Sequence, residues 1–98
     1  MTGRFEWHIT VPGANRSEAM KVAEQTGWVF SEITGCPILG QGTYCYITGY
    51  HTEFDSALGT VRAIAESLRA RKVQVLREKI ENIVYDTKTG VGVATGVI

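Results

Sequence analysis

Three pairs of side chains in this 98-residue sequence have types and spacings that suit binding chemistry, and they are Glu6 with His8, Tyr44 with Tyr46, and Arg77 with Lys79. The two members of each pair are two positions apart, so an extended backbone carries both on the same face. A carboxylate beside an imidazole forms an acid–base pair, tyrosine rings stack on flat ligands, and basic side chains bind anions. These six residues are therefore the candidate ligand- or partner-binding residues.

Catalytic and metal-binding motifs are missing from the sequence. It contains no HExxH, no GxSxG and no cluster with metal-ligand spacing. His8 and His51 are isolated from each other, and Cys36 and Cys45 lie nine positions apart without forming a CxxC pair. We expect both thiols to be reduced. We therefore predict no catalytic residue, no metal and no cofactor, and we favour a binding protein over an enzyme.

The charge balance excludes several partner classes. Ten lysine and arginine residues balance ten aspartate and glutamate residues, which removes the electrostatic attraction that most nucleic-acid binders and anionic membranes rely on. Residues 43–48 match the aromatic-x-aromatic-aliphatic pattern of RNA-recognition domains, but without the flanking basic residue. No apolar run has the length of a membrane span or of a signal-peptide core. We expect a cytoplasmic protein that binds neither nucleic acid nor membrane, with single-stranded RNA binding through Tyr44 and Tyr46 as a third, less favoured alternative.

Hydrophobic periodicity predicts the elements that position the three pairs. Alternation of apolar and polar residues predicts four strands, at residues 4–11, 28–34, 43–50 and 73–85. Helical spacing predicts one helix between Asn15 and Gly27 and a second between Thr52 and Arg71, the latter opening with a capping box to Asp55. A bulge near residues 81–82 would explain why the alternation slips in the last strand.

This β-α-β-β-α-β order is that of an α+β, ferredoxin-like βαββαβ sandwich. It predicts a single domain at residues 1–87, with a four-stranded antiparallel sheet, two helices on one face, and the first and last strands central. If Trp7 and Ile9 face the helices, the three candidate pairs face away from them, and Glu32 could join them from the second strand. This face could be a solvated polar surface, a self-association surface, or a site for a small anionic or aromatic ligand.

The C-terminal tail, residues 88–98, is apolar, and no charge occurs after position 89. Disordered tails are normally polar, whereas this one carries four large aliphatic residues, Val91, Val93, Val97 and Ile98. We predict that these residues lie in a homo-oligomer interface, as a strand added to the sheet edge of a neighbouring subunit.

Four short stretches carry a resemblance to a known group, and they are residues 27–28 (Gly-Trp), 37–40 (Pro-x-Leu-Gly), 75–81 and 84–87. They resemble short proteins, without an assigned activity, that phages of actinobacteria encode. The resemblance implies a phage or prophage accessory protein in the host cytoplasm. The expected function is thus a non-enzymatic, homo-oligomeric binding protein for a host protein or a small anionic, nucleotide-like ligand. The alternative is a small enzyme for a phosphate-bearing substrate, with His8 as acid–base.

Overall fold

The structure is a computed structural model, which describes residues 2–36, 40–86 and 91–97. Its elements in chain order are β1 (Thr2–Pro12), a 3-10 turn (Gly13–Asn15), α1 (Arg16–Thr26), β2 (Val29–Cys36), β3 (Gly40–His51), α2 (Phe54–Ala70), β4 (Arg77–Asp86) and β5 (Val91–Val97). The predicted βαββαβ order is confirmed, with one more strand at its end.

The five strands form one antiparallel sheet in the order β2-β3-β1-β4-β5. Each of the two helices connects strands that have one other strand between them, which is the ferredoxin-like arrangement that the element order predicted. The prediction that the first and last strands are central is right for β1 alone. β3 is its central neighbour, and β4 is an inner strand only because β5 pairs with its outer edge.

The two helices begin and end differently from one another. α1 ends at Gly27, as predicted, where a φ of 78° allows the backbone N–H to donate to the carbonyl of Ala23 at 2.8 Å. The predicted capping box of α2 is wrong, because Glu53 occupies the N-cap position and no side chain caps the helix. Asp55 still lies in the first turn, where its charge favours the helix dipole.

The core lies between the sheet and the helices. Trp7 and Ile9 are fully buried, whereas His8 between them is only half-buried and points to the opposite side, as the alternation predicted. Trp7 packs edge-to-face on Trp28, with ring centroids 5.3 Å apart. The Trp7 indole Nε1–H donates to Nδ1 of His51 at 3.1 Å, so the polar atom of this large core residue has a partner.

The tail forms the extended strand that its alternation predicted, but its pairing partner is β4 of the same chain, from Asp86↔Val91 to Glu81↔Val97. The physical reason is that the four-stranded sheet still has a free backbone edge. The outer edge of β4 offers unpaired hydrogen-bonding groups to the tail of the same chain. Ile98 lies outside the described residues, and the side chains of Val91, Val93 and Val97 are not described either. The oligomer interface assigned to these four residues stays a prediction.

The predicted bulge does not shift the faces of β4. The pairing of β1 with β4 runs without interruption from Thr2↔Tyr85 to Thr10↔Arg77, and the irregularity lies in the pairing of β4 with β5. Ile83 therefore stays on the face away from the helices, opposite Arg4. In the described part of the chain, neither helix combines the length and the apolar character needed to cross a bilayer.

Candidate functional site

The sheet face that points away from the helices, the open face, receives the candidate residues from three adjacent strands. β1 lies in the middle, so each of its outward residues has a neighbour on β3 and another on β4. The outward triplets are Glu6 with Tyr50 and Glu81, His8 with Thr48 and Lys79, and Thr10 with Tyr46 and Arg77. The strand register thus brings Glu6, His8, Tyr46, Arg77 and Lys79 together, as predicted from their parity.

Two other sequence-based assignments differ in the structure. Tyr44 is on the open face opposite Pro12, but it lies near the end of the sheet, and its hydroxyl donates to the Gln41 carbonyl at 3.1 Å. Glu32 is on the helix side, opposite Cys45, so the suggestion that it joins the open face is wrong. The physical reason is strand parity, because Glu32 shares a face with Phe30, whose ring packs against the core.

A shallow concavity of about 250 Å³ lies on the open face, and its lining residues come from four strands: His8, Thr10, Ser31, Ile33, Tyr46, Thr48, Arg77 and Lys79. Four of these residues, Thr10, Ser31, Ile33 and Thr48, are not among the site residues predicted from the sequence. The signal that could have found Ser31 and Ile33 was Phe30, since an inward Phe30 turns the odd-numbered residues of β2 outward.

A hydrogen-bonded chain runs along the open face through His8. Its Nε2 is 2.7 Å from the Glu6 carboxylate and its Nδ1 is 2.9 Å from the Thr48 hydroxyl. In the neutral ring, Nε2–H donates to Glu6, and Nδ1 accepts from Thr48. Burial raises the pKa of Tyr50, and the charge and hydrogen bond of Glu6 raise it further, although Arg4 opposes both from 4.4 Å above the ring. Glu6 is therefore already committed to neighbours within the protein.

The two basic residues of the concavity differ in their partners. Lys79 forms an ion pair with Glu81, both side chains being largely buried. Arg77 has no ion pair or hydrogen bond from its guanidinium to any other residue that the structure describes. It is half-buried at the edge of the concavity, and none of the lining residues that the structure describes carries a carboxylate. Arg77 thus presents an uncommitted positive charge to whatever occupies the site.

Nucleophilic or metal-dependent chemistry finds little support on either face. The thiol of Cys45 is buried in the core, and burial, together with the nearby Glu32 carboxylate, raises its pKa, so it is not an activated nucleophile. Within residues 2–36, 40–86 and 91–97, no three histidine, cysteine, aspartate or glutamate side chains come together in a way that would hold a metal ion.

Comparison with known proteins adds no relative. No protein-family model matches this sequence, and no curated protein matches it. The resemblance to phage-encoded proteins therefore stays a prediction.

Proposed function

We propose that this protein is a non-enzymatic binding protein whose open sheet face binds a small molecule that carries an anionic group. As the sequence led us to expect, we also propose that the protein is cytoplasmic and homo-oligomeric, and that it is an accessory protein of a phage or prophage. The observation that carries the proposal of anion binding is the uncommitted guanidinium of Arg77 beside a concavity whose described lining residues include no carboxylate. A guanidinium without a partner binds phosphate or carboxylate through two parallel hydrogen bonds.

The remaining lining residues favour a ligand that is flat and partly apolar. The hydroxyls of Thr10 and Ser31 can hydrogen-bond an anion or a sugar, whereas the ring of Tyr46 and the aliphatic side chain of Ile33 provide contact area for a planar group. The volume of about 250 Å³ is just below the range of ~300–1,000 Å³ that is typical of ligand pockets. A mononucleotide-like molecule has the size and chemistry that fit this description.

An alternative function is a small enzyme that acts on a phosphate-bearing substrate. The observation that favours it is the 2.7 Å contact between Glu6 and Nε2 of His8, because a carboxylate orients and stabilises a histidine that exchanges protons. His8→Gln separates the two functions. If the protein is an enzyme, this variant loses turnover while it still binds substrate, whereas a pure binding protein shows no turnover in either form.

The test of anion binding is a titration with AMP, adenosine and inorganic phosphate, followed by NMR chemical shifts and calorimetry. We expect AMP to shift the signals of Thr10, Thr48 and Arg77, and adenosine to bind at least tenfold more weakly. Arg77→Gln should weaken AMP binding about 10–100-fold, since charge-assisted hydrogen bonds contribute ~1.5–3 kcal/mol.

The matched control is Arg62→Gln, which removes a charge from the exposed face of α2. It should leave AMP binding unchanged, and both variants should keep the free energy of unfolding within about 0.5 kcal/mol of the wild type. If AMP and phosphate leave every signal of the open face unmoved, the proposal is wrong. A large loss of Tm in Arg77→Gln with binding intact would instead give Arg77 a structural role.

A further inference from the structure

We propose that two copies of this chain pair through the free edge of β2. The two β2 strands run antiparallel, with a two-fold axis at Ser31. The two sheets then become continuous, and the two concavities lie on either side of the axis. The part of this inference that concerns the ligand rests on the proposed function, whereas the pairing itself rests on the composition and contacts of β2.

The free edge of β2 is long, and its regular part, residues 29–33, precedes the irregularity between Thr34 and Cys36. β2 is the terminal strand of the sheet that the structure describes and has eight residues, so a row of its backbone N–H and C=O groups has no described strand beside it. Residues 29–33 contain no lysine and no proline, which commonly keep such edges from pairing. The most exposed large apolar side chains that the structure describes are Val29 (61% exposed) and Ile33 (50%), and both belong to this strand.

One register covers both of these side chains. Val29 and Ile33 are on the open face, four positions apart, with Ser31 midway between them. When Ser31 pairs with the partner's Ser31, Val29 lies directly opposite the partner's Ile33, and the same contact recurs on the other side of the axis. Directly opposed side chains have Cβ atoms about 4.5–5.5 Å apart, which is within apolar contact. An axis at Val29 or at Ile33 would cover only one of the two.

The helix side of β2 carries charges that complement a second copy. Arg16 contacts its own Glu32, with Nε 3.3 Å from the carboxylate, and its guanidinium lies 5.8 Å from the centroid of the Phe30 ring. In the proposed register, Glu32 is opposite the partner's Phe30 and therefore beside the partner's Arg16. Both charged side chains are substantially exposed and free to bridge the junction. Two positive and two negative groups then alternate around the axis, which favours an identical chain over an unrelated partner.

The pairing would also change the concavity. Ser31 and Ile33 form its border on the β2 side, where the sheet ends. With the second copy in place, the partner's Val29 extends this border beyond Ile33 and removes apolar surface from water. We therefore expect the dimer to bind two AMP molecules, one per subunit, and to bind each more tightly than a monomeric variant does.

Cysteine cross-linking tests the register directly. In a Cys36→Ser background, with the fully buried Cys45 retained, a short thiol-specific cross-linker should join Ser31→Cys chains into dimers. Val29→Cys alone and Ile33→Cys alone should remain uncross-linked, because each is ~13 Å from its own copy across the axis. An equal mixture of the two should cross-link. Ala63→Cys on the exposed face of α2 gives the background from random collisions.

Light scattering tests the interface in the unmodified chain. We expect the wild type to have about twice the chain mass of 10.8 kDa, Val29→Lys to be monomeric, and the control Ala63→Lys to be dimeric. A monomeric wild type, a dimer that survives Val29→Lys, or equal cross-linking at all positions would overturn the pairing. A dimer with the predicted cross-links that fails to bind AMP would support the pairing and contradict only the proposed ligand.

Discussion

Replacing Gly49 by alanine tests how closely the core is packed around Trp7. Gly49 is buried on β3, directly opposite Trp7 on β1. A methyl group there would lie 2.6 Å from Cε2 of Trp7 and 2.7 Å from Cε3 of Trp28, whereas ordinary contacts are 3.4–4 Å. The obstructing atoms belong to two large rings that pack on each other, so neither ring can move without disturbing the other.

Two effects add to give the expected loss of stability. Overpacking a core typically reduces the free energy of unfolding by about 1–3 kcal/mol. A displaced Trp7 also loses its hydrogen bond to His51, and a buried donor without a partner costs about 1–3 kcal/mol more. We therefore expect Gly49→Ala to be ~2–6 kcal/mol less stable than the wild type, which corresponds to at least ~8 °C in Tm for a domain of this size.

Gly59→Ala is the matched control, because the same methyl group would meet nothing within 4 Å on the exposed face of α2. Alanine is preferred over glycine inside helices, so this variant should gain about 0.5–1 kcal/mol. Urea unfolding followed by circular dichroism gives both values, and tryptophan fluorescence reports on the rings. If Gly49→Ala unfolds within 0.5 kcal/mol of the wild type (roughly the spread of neutral surface changes), the packing argument is refuted.

Three further predictions concern partners of buried or charged groups. His51→Leu removes the acceptor of the Trp7 indole N–H and should lower the free energy of unfolding by about 1–3 kcal/mol in urea. Burial raises the pKa of the Cys45 thiol, so its contribution to the free energy of unfolding should be fully present below the ordinary thiol pKa and lost as pH rises above that value. In unfolding experiments, Cys45→Ala should therefore lose less stability at alkaline pH than the wild type. An equal loss of stability would contradict this cause. The hydrogen bond from Arg71 lowers the pKa of Glu18. The stability that the ionised Glu18 carboxylate contributes should therefore be present above the ordinary carboxyl pKa and lost as pH falls through the lowered pKa. NMR titration of Arg71→Met should show that pKa returning toward its ordinary range, and an unchanged value would assign the shift to another cause.

The sequence predicted the faces of β1 correctly because successive side chains of a strand point to opposite faces. Once every second residue is apolar, the face that these residues share must be the buried one. Phe5, Trp7 and Ile9 occupy a single phase, so the inward face was evident. β2 lacks this property, since Phe30 belongs to one phase and the exposed Ile33 to the other. The assignment of Glu32 to the open face failed for that reason.

Strand parity predicted which face carries the basic residues, but it did not reveal the contribution of Ser31 and Ile33 from β2. Parity alone placed Arg77 and Lys79 on the open face, and the register then set them beside Thr10 and His8. Glu81 lies two positions from Lys79 on the same face, and no carboxylate lies two positions from Arg77. The spacing is therefore consistent with the ion pair of Lys79 with Glu81, which leaves Arg77 uncommitted.

The position of β1 in the middle of the sheet has a consequence for synthesis of the chain on the ribosome. Thr2 pairs with Tyr85, which follows much later in the chain, and β1 cannot complete its hydrogen bonds until β4 has left the exit tunnel. Until then the face of β1 that carries Trp7 has no complete core to enter. Pairings so distant in sequence close slowly, because the entropy of the long loop is lost before the contacts compensate for it. We therefore expect the sheet to be completed only after β4 has left the tunnel, with β2 and β3 the earliest hairpin to form.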